Sequence, residues 1–282
     1  MARTDALSIT TNGSTADKLA ESYGKVIDSI QKGAISEKIK NTDYSGDPTT
    51  GSVEVNRFNN AASNNYGTAR TAGAGSKLIN GGKVTININQ DKEIVEEIEE
   101  KDVRLFGVGD IIARRAGNHA KRMIATLDRA YFAALESTGT AVTLDEGVVA
   151  IEDVVEAMIQ SISTVTNDYV DGVDREMIVL TLAPSVYGKL RNHIDKVMVE
   201  NDAGKEEIAM FHGVRVFENA RQTKAIIATI FGSAAQPVLV NEYADEKVNL
   251  SNAHAVELFY SFGTGVVTPD LVKTLAALPV AE

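Results

Sequence analysis

The side chains that most often carry chemistry are few and scattered in this chain. Its four histidines, His119, His193, His212 and His254, never fall three or four residues apart. No helix therefore offers two imidazoles to one metal ion. Cysteine is absent, which removes disulfides, thiolate metal sites and thiol nucleophiles. Gly73-Ala74-Gly75-Ser76-Lys77 has the residue types of a loop that wraps a phosphate in backbone N–H groups. It lacks the leading glycine and the strand-to-helix context of a complete phosphate loop. Gly81-Gly82-Lys83-Val84 lacks the Ser or Thr that must follow the lysine. No Gly-x-Ser-x-Gly nucleophile elbow occurs. Backbone freedom at glycine accounts for both glycine runs.

Two charged constellations remain. Between Asp91 and Asp102 seven acidic residues face only Lys92 and Lys101. Paired carboxylates can shuttle protons or bind calcium, but the Asp-x-Asp-x-Asp-Gly register is missing. A solvated or partner-facing acidic surface is expected instead. Arg114, Arg115, Lys121, Arg122 and Arg129 fall on one helical segment and could hold phosphates. Asp110, Asp128 and Glu136 offset them, so a face of i,i+4 ion pairs is expected. The residues nominate no catalytic, cofactor-binding or metal-binding group, and the chain is expected not to be an enzyme.

Composition narrows the classes further. The 282 residues carry 39 acidic and 28 basic groups, a net charge of −11. That disfavours broad, non-specific binding to nucleic acid or to an anionic membrane. No apolar run approaches the roughly 20 residues needed to cross a bilayer. The first residues are polar and lack a signal-peptide core, so export by that route is not expected. An apolar content of 44% suffices for a real core, while aromatics make up only 6%.

The elements that must position these groups read as follows. Lys18 to Ile35 carries Leu19, Tyr23, Val26, Ile27 and Ile30 at helical spacing, weakened by Gly24 and Gly33. Asp110 to Glu136 is a long helix, with Ile112, Ala116, Ala120, Met123, Leu127, Ala130 and Ala134 recurring three or four apart. Residues 151–165 form a second amphipathic helix. Glu176 to Leu182 reads as a buried strand, broken by Ala183-Pro184 and followed by a helix over 185–194. Short strands are expected at 214–218, 225–231, 237–240, 248–251 and 255–262, and a last apolar segment at 271–278. The acidic run from 91 fits strand and helix equally. Helices and strands interleave without a βαβ repeat, so the class is α+β.

Two strand-like runs stand apart, Ser52–Phe58 and Lys83–Asn89. Of the 24 residues between them, nineteen are Gly, Asn, Ala, Ser or Thr. Such a segment has little apolar surface to offset the entropy of ordering it. An isolated two-stranded ribbon is marginal in water. Val53, Val55 and Phe58 on one strand and Val84, Ile86 and Ile88 on the other therefore need a surface to lie on. A neighbouring molecule is the expected one.

The order of these parts resembles the major capsid proteins of tailed bacteriophages, the Hong Kong 97-type fold. Met177 to Leu190 is similar to that family's apolar strand, proline and following helix. Phe211-His212-Gly213-Val214-Arg215-Val216 is similar to its glycine-led strand. Val256 to Gly263 with Pro269-Asp270-Leu271-Val272 is similar to its closing strand and return.

The resemblance implies an N-terminal arm over 1–45 and an extended loop over 46–90. It implies a peripheral domain over 91–148 and 235–262, holding a spine helix at about 110–136, and an axial domain over 149–234 and 263–282. It implies a structural protein of the virion, assembled in the bacterial cytoplasm. Copies pair with themselves as hexamers and pentamers in an icosahedral shell. A portal is a further implied partner, no membrane is involved, and double-stranded DNA is enclosed without sequence-specific binding. The overall acidity fits a wall that does not grip that DNA. About 45 residues precede the ribbon, too few for a long scaffolding segment, which implies a separate scaffolding protein or a processed chain. Some members cross-link subunits through a lysine on the extended loop. Lys77 and Lys83 lie in that region, but no partner asparagine or assisting acid is matched. An encapsulin-type nanocompartment shell is the alternative within the same fold. An enzyme with a flexible lid over 59–82 is the alternative from another class.

Overall fold

The computed structural model describes residues 33–61, 63, 65–67, 80–99, 108–197, 210–247 and 253–279. Residues 18–32 of the first expected helix, the glycine motif with Lys77, most of the 59–82 tip and the strand candidate at 248–251 lie outside them.

The longest element is helix α2, Val108–Thr138, preceded by the short helix α1, Ile35–Ile39. At about 1.5 Å per residue, α2 is ~46 Å long. Its apolar stripe meets two different sheets in succession. Ala116, Ala120, Met123, Ile124 and Leu127 pack on Leu258, Tyr260 and Phe262. One or two turns on, Tyr131, Phe132 and Leu135 pack with Ile39, Val179, Ile227 and Val272. Gly139 follows the helix because nothing larger fits there. A Cβ would stand 2.8 Å from the Leu135 carbonyl and 2.8 Å from Thr274 Cγ2.

The first of those sheets has three antiparallel strands, in the order β10 (Val238–Lys247), β11 (Ala253–Phe262), β3 (Gln90–Glu99). The run that fits strand and helix equally is thus a strand, with Ile94 opposite Leu258 and Glu96 opposite Val256. The strand expected at 237–240 continues to Lys247 through a register shift between Val240 and Glu242.

The second sheet has six strands, ordered β4 (Thr140–Ala141), β13 (Lys273–Leu275), β8 (Ile226–Ile230), β5 (Ile178–Leu182), β7 (Val214–Glu218), β6 (Met210–Phe211). Every residue of β5 is buried, because both faces of the sheet are covered there. Ile178, Leu180 and Leu182 face helices α3 (Ile151–Ser163) and α4 (Pro184–Val197), while Val179 faces α1 and α2. Burial on both sides is why this strand reads as a continuous apolar run instead of an alternating one.

The ribbon is the third unit. β1, Ser52–Phe58, pairs antiparallel with β2, Asn80–Asn87, setting Val53 opposite Ile86 and Val55 opposite Val84. A register shift falls between Arg57 and Phe58. The small pair β9 (Ala234–Ala235) and β12 (Gly265–Val266) lies where the ribbon meets the rest of the chain.

Candidate functional site

The ribbon root carries the residues expected to meet a neighbour. Direct cross-strand partners share one face, so Val53, Val55, Val84 and Ile86 form a single apolar patch. That patch lies on the chain itself. Val53, Val55 and Ile86 are at most 3% exposed and pack with Ala235 and Val267, with Tyr44 and Val84 at the margin. The expectation of a neighbour beneath all six residues is corrected here for these three, since their surface is spent within the chain. Val84 and Ile88 are half-buried, and Phe58 is 52% exposed.

Two glycines make the seat. A Cβ on Gly265 would lie 2.6 Å from Ile86 Cγ1, and one on Gly263 would collide with the Asn87 carbonyl. Only a residue without a side chain lets the ribbon lie this close.

A clamp holds the next turn of the ribbon. Arg57 Nη1 and Nη2 donate to the two Asp270 oxygens at 2.6 and 2.8 Å. Asn167 Nδ2 donates to the same carboxylate at 2.6 Å. The guanidinium also lies 4.2 Å from the centre of the Tyr169 ring, a favourable cation–π placement. Burial alone would push the Asp270 carboxyl up, but the hydrogen bonds from Arg57 and Asn167 outweigh it and hold it below the usual range. Asn60 N donates to the Asp168 carbonyl at 2.9 Å, extending the attachment three residues beyond Arg57. On the opposite ribbon face Lys83 pairs with Glu54, so this lysine is engaged within the ribbon.

The acidic strand and the long helix meet within one chain. Ile94, Glu96 and Ile98 alternate toward α2, and Glu96 accepts hydrogen bonds from Arg115. His119 Nε2 lies 3.0 Å from Glu96 Oε2, with the imidazole 1% exposed. The Arg115 hydrogen bonds hold the Glu96 carboxyl down against the opposing effect of burial, and His119 adds to them. A groove of about 530 Å³ runs along this seam, floored by Tyr260 and flanked by Lys92, Asn118 and Arg122.

The i,i+4 ion-paired face expected on α2 does not form among the described residues. Its carboxylates are used elsewhere. Asp128, fully buried, accepts from Ser36 N at 3.0 Å, Ile35 N at 3.3 Å and Arg221 Nη1 at 2.5 Å. Glu136 accepts from Thr223 N at 2.6 Å and Lys224 N at 3.1 Å. Lys121, Arg122 and Arg129 stay exposed, and no described carboxylate pairs with them.

A last polar cluster lies at the far edge of the six-stranded sheet. Glu156 on α3 accepts from Arg175 Nη1 at 3.0 Å and lies 3.0 Å from His212 Nδ1. Arg175, with His212 and Gln160 adding, brings the Glu156 carboxyl down to about 2 against burial. These contacts fix the turn between β6 and β7, where His212 takes a positive φ of 49°. Among the described residues no group of three or more His, Asp or Glu could hold a metal ion.

No protein-family model matches this chain, and no curated protein matches it. Solved structures do. The capsid structure of the Cyanophage P-SCSP1u aligns with a TM-score of 0.61 at 13% identity, covering 86% of each chain. The chain has the Hong Kong 97-type capsid fold. A structure from Mycobacterium phage Che8 shares this Hong Kong 97-type fold at a TM-score of 0.60 and 18% identity, over 80% of this chain and 84% of that one. The virus-like particle from Pyrococcus furiosus aligns at 0.55 and 12% identity, over 92% and 98%.

On this Hong Kong 97-type scaffold, sequence reasoning missed the positioning roles of Gly263, Gly265, Asp270 and Asp128. The two glycines follow a strand closely, which signals a tight approach only once the strand is known. Asp270 and Arg57 lie 213 residues apart, and no local spacing links them.

Proposed function

We propose that this chain is a major capsid protein whose copies close into an icosahedral shell around a double-stranded DNA genome. The observation that carries the reading is the likeness to the cyanophage capsid over 86% of both chains. Its role is structural, in the virion, and its main partner is itself, as hexamers and pentamers. A scaffolding protein and a portal complete the set, with assembly in the host cytoplasm. Residues 46–90 serve as the extended loop, α2 as the spine helix of a peripheral domain with β3, β10 and β11, and the six-stranded sheet as the axial domain.

The ribbon then has two parts with two jobs. Val53, Val55 and Ile86 anchor its root on its own chain. Val84 lies at the margin of that anchor and Ile88 at its root end, while Phe58, with the tip beyond it, lies on the next subunit. The outward face of the three-stranded sheet is the matching surface. It presents Val95, 45% exposed, and the partly covered Phe259, ringed by Glu93, Glu97, Glu99 and Glu257. An apolar centre with a polar rim is the anatomy of a protein contact, and Arg70 and Lys77 of the tip complement the rim in charge.

Size-exclusion chromatography with negative-stain microscopy of the expressed protein tests the reading. Shells, hexamers or pentamers are expected; a compact monomer at every concentration and salt would refute it. The variant Phe58→Ser should fold yet fail to close shells. Ile86 is a poor test residue, because its burial makes Ile86→Asp destabilising by itself. A second reading, a nanocompartment shell enclosing other cargo, is favoured by the likeness to the Pyrococcus furiosus virus-like particle. Purified shells containing protein cargo and no DNA would select it.

A further inference from the structure

The helix-on-sheet unit built from α2 and β3, β11 and β10 is electrically two-faced. Glu93, Glu97 and Glu99 point away from α2 on the sheet side, alternating with the inward Ile94, Glu96 and Ile98. Lys121, Arg122 and Arg129 stand on the outer side of the helix. Arg122 and Arg129, seven residues apart, are nearly in line along the axis, and Lys121 flanks them. The three span ~12 Å of helix. In a chain of net charge −11, this local excess of cations exists because the helix's own carboxylates are turned inward. Asp128 binds α1 and Arg221, Glu136 binds the 223–224 backbone, and Glu96 takes up Arg115.

We propose that this outer face of α2 meets the phosphate backbone of the enclosed double-stranded DNA, through Lys121, Arg122 and Arg129, and that the acidic sheet face is turned outward. The proposal rests on the reading of the chain as a shell around DNA and adds to it which face looks inward. A second copy's acidic sheet face is the competing occupant. The surroundings of the cations favour phosphate over protein. Among the described residues of this side, Gly117, Asn118 and Ala133 are the other exposed ones, and none supplies the apolar centre that a protein contact needs. Backbone phosphate contacts require cations and carry no sequence information, which fits enclosure of any genome sequence. The sheet face has the apolar centre that the helix face lacks.

Two measurements test this. The first is retention of the purified subunit on immobilised double-stranded DNA at low ionic strength, read against salt. The triple variant Lys121→Gln, Arg122→Gln, Arg129→Gln is expected to lose retention, with the log–log salt slope falling by about 2.7 for three lost phosphate contacts. The control Lys189→Gln, Arg191→Gln, Lys224→Gln changes the net charge equally and is expected to bind like the parent. Equal loss in both variants, or unchanged retention of the first, overturns the proposal.

The second measurement uses the absence of cysteine. In assembled particles, Arg122→Cys is expected to react with a maleimide too large to pass the shell only after disassembly. Reaction of Arg122→Cys in intact particles overturns the sidedness. Protection of Arg122→Cys in intact particles, with DNA retention unaffected by the triple variant, assigns the strip to a contact between copies and also overturns it. If the parent forms no particles at all, the shell reading fails, while the retention measurement still decides on the cationic strip.

Discussion

β5 and the ribbon root are both buried, but they are held by different means. β5 has strands on both edges, β7 and β8, and apolar layers on both faces. Losing any one contact leaves it fixed by the others. The ribbon root rests on one face only, its Val53, Val55 and Ile86 on Ala235 and Val267, with two glycines for a seat and one ion pair as a clamp. One region is embedded and the other is attached. An attached element can be moved or loosened without unfolding the body that carries it, the property that the proposed reach to a neighbouring copy requires.

The contrast is broken most directly at β5. Leu180→Ala should cost about 2–5 kcal/mol of subunit stability, because a fully buried leucine leaves a cavity; urea unfolding measures it. A loss below about 1 kcal/mol would mean that the six-stranded core is not the centre of stability. Gly265→Val comes next. Overpacking against Ile86 should strain the seat by about 1–3 kcal/mol, and the effect should appear as faster proteolysis within 59–82 more than as a lower global midpoint. An equal fall in the global midpoint would show that the ribbon belongs to the core.

The clamp sharpens the comparison through pH. Asp270 has a lowered folded pKa, so its contribution is complete above the unfolded carboxylate value of about 4 and is lost as pH falls through the folded value. Protease resistance of the ribbon should therefore drop at acid pH before the body unfolds, and Arg57→Gln should remove that acid limb. Glu156 has the same sign, with a folded value of about 2. Its contribution is present above about 4.3 and fades on acidification toward 2. Glu156→Gln should produce a smaller loss at neutral pH, since the Arg175 partner is solvent-exposed, read as a midpoint shift in thermal unfolding. Smallest of all, Phe58→Ser should leave subunit stability within about 0.5 kcal/mol; a larger loss would place Phe58 in the chain's own core.

Legibility in the sequence followed the range of the interactions. The period of α2 was readable because one stripe faces sheet along most of its length, and β5 because a strand covered on both sides is apolar at every position but Thr181. β3 was ambiguous for a physical reason. Ile94, Val95 and Ile98 suit a helical period, while the strand turns Glu96 inward, where an apolar residue is expected. Only Arg115 and His119, on another element, make that carboxylate acceptable. β10 ran past its apolar start because pairing with β11 carries the polar residues 241–247 along. The ribbon was readable as a hairpin with one apolar face. The surface under that face was not, because it is assembled from Ala235, Gly263, Gly265 and Val267, small residues that carry little signal of their own.

The glycine seat also sets a lever. β2 spans eight residues from Asn80 to Asn87, about 27 Å at strand rise, with its fulcrum at Ile86. From Ile86 to Asn80 the arm is about 20 Å, so a tilt of about 10° at the fulcrum moves the far end by about 3.5 Å. Two positions without side chains thus govern how steeply the arm leaves the body. In the shell proposed above, that angle becomes curvature, so a single methyl group at 263 or 265 would act on its radius through geometry alone.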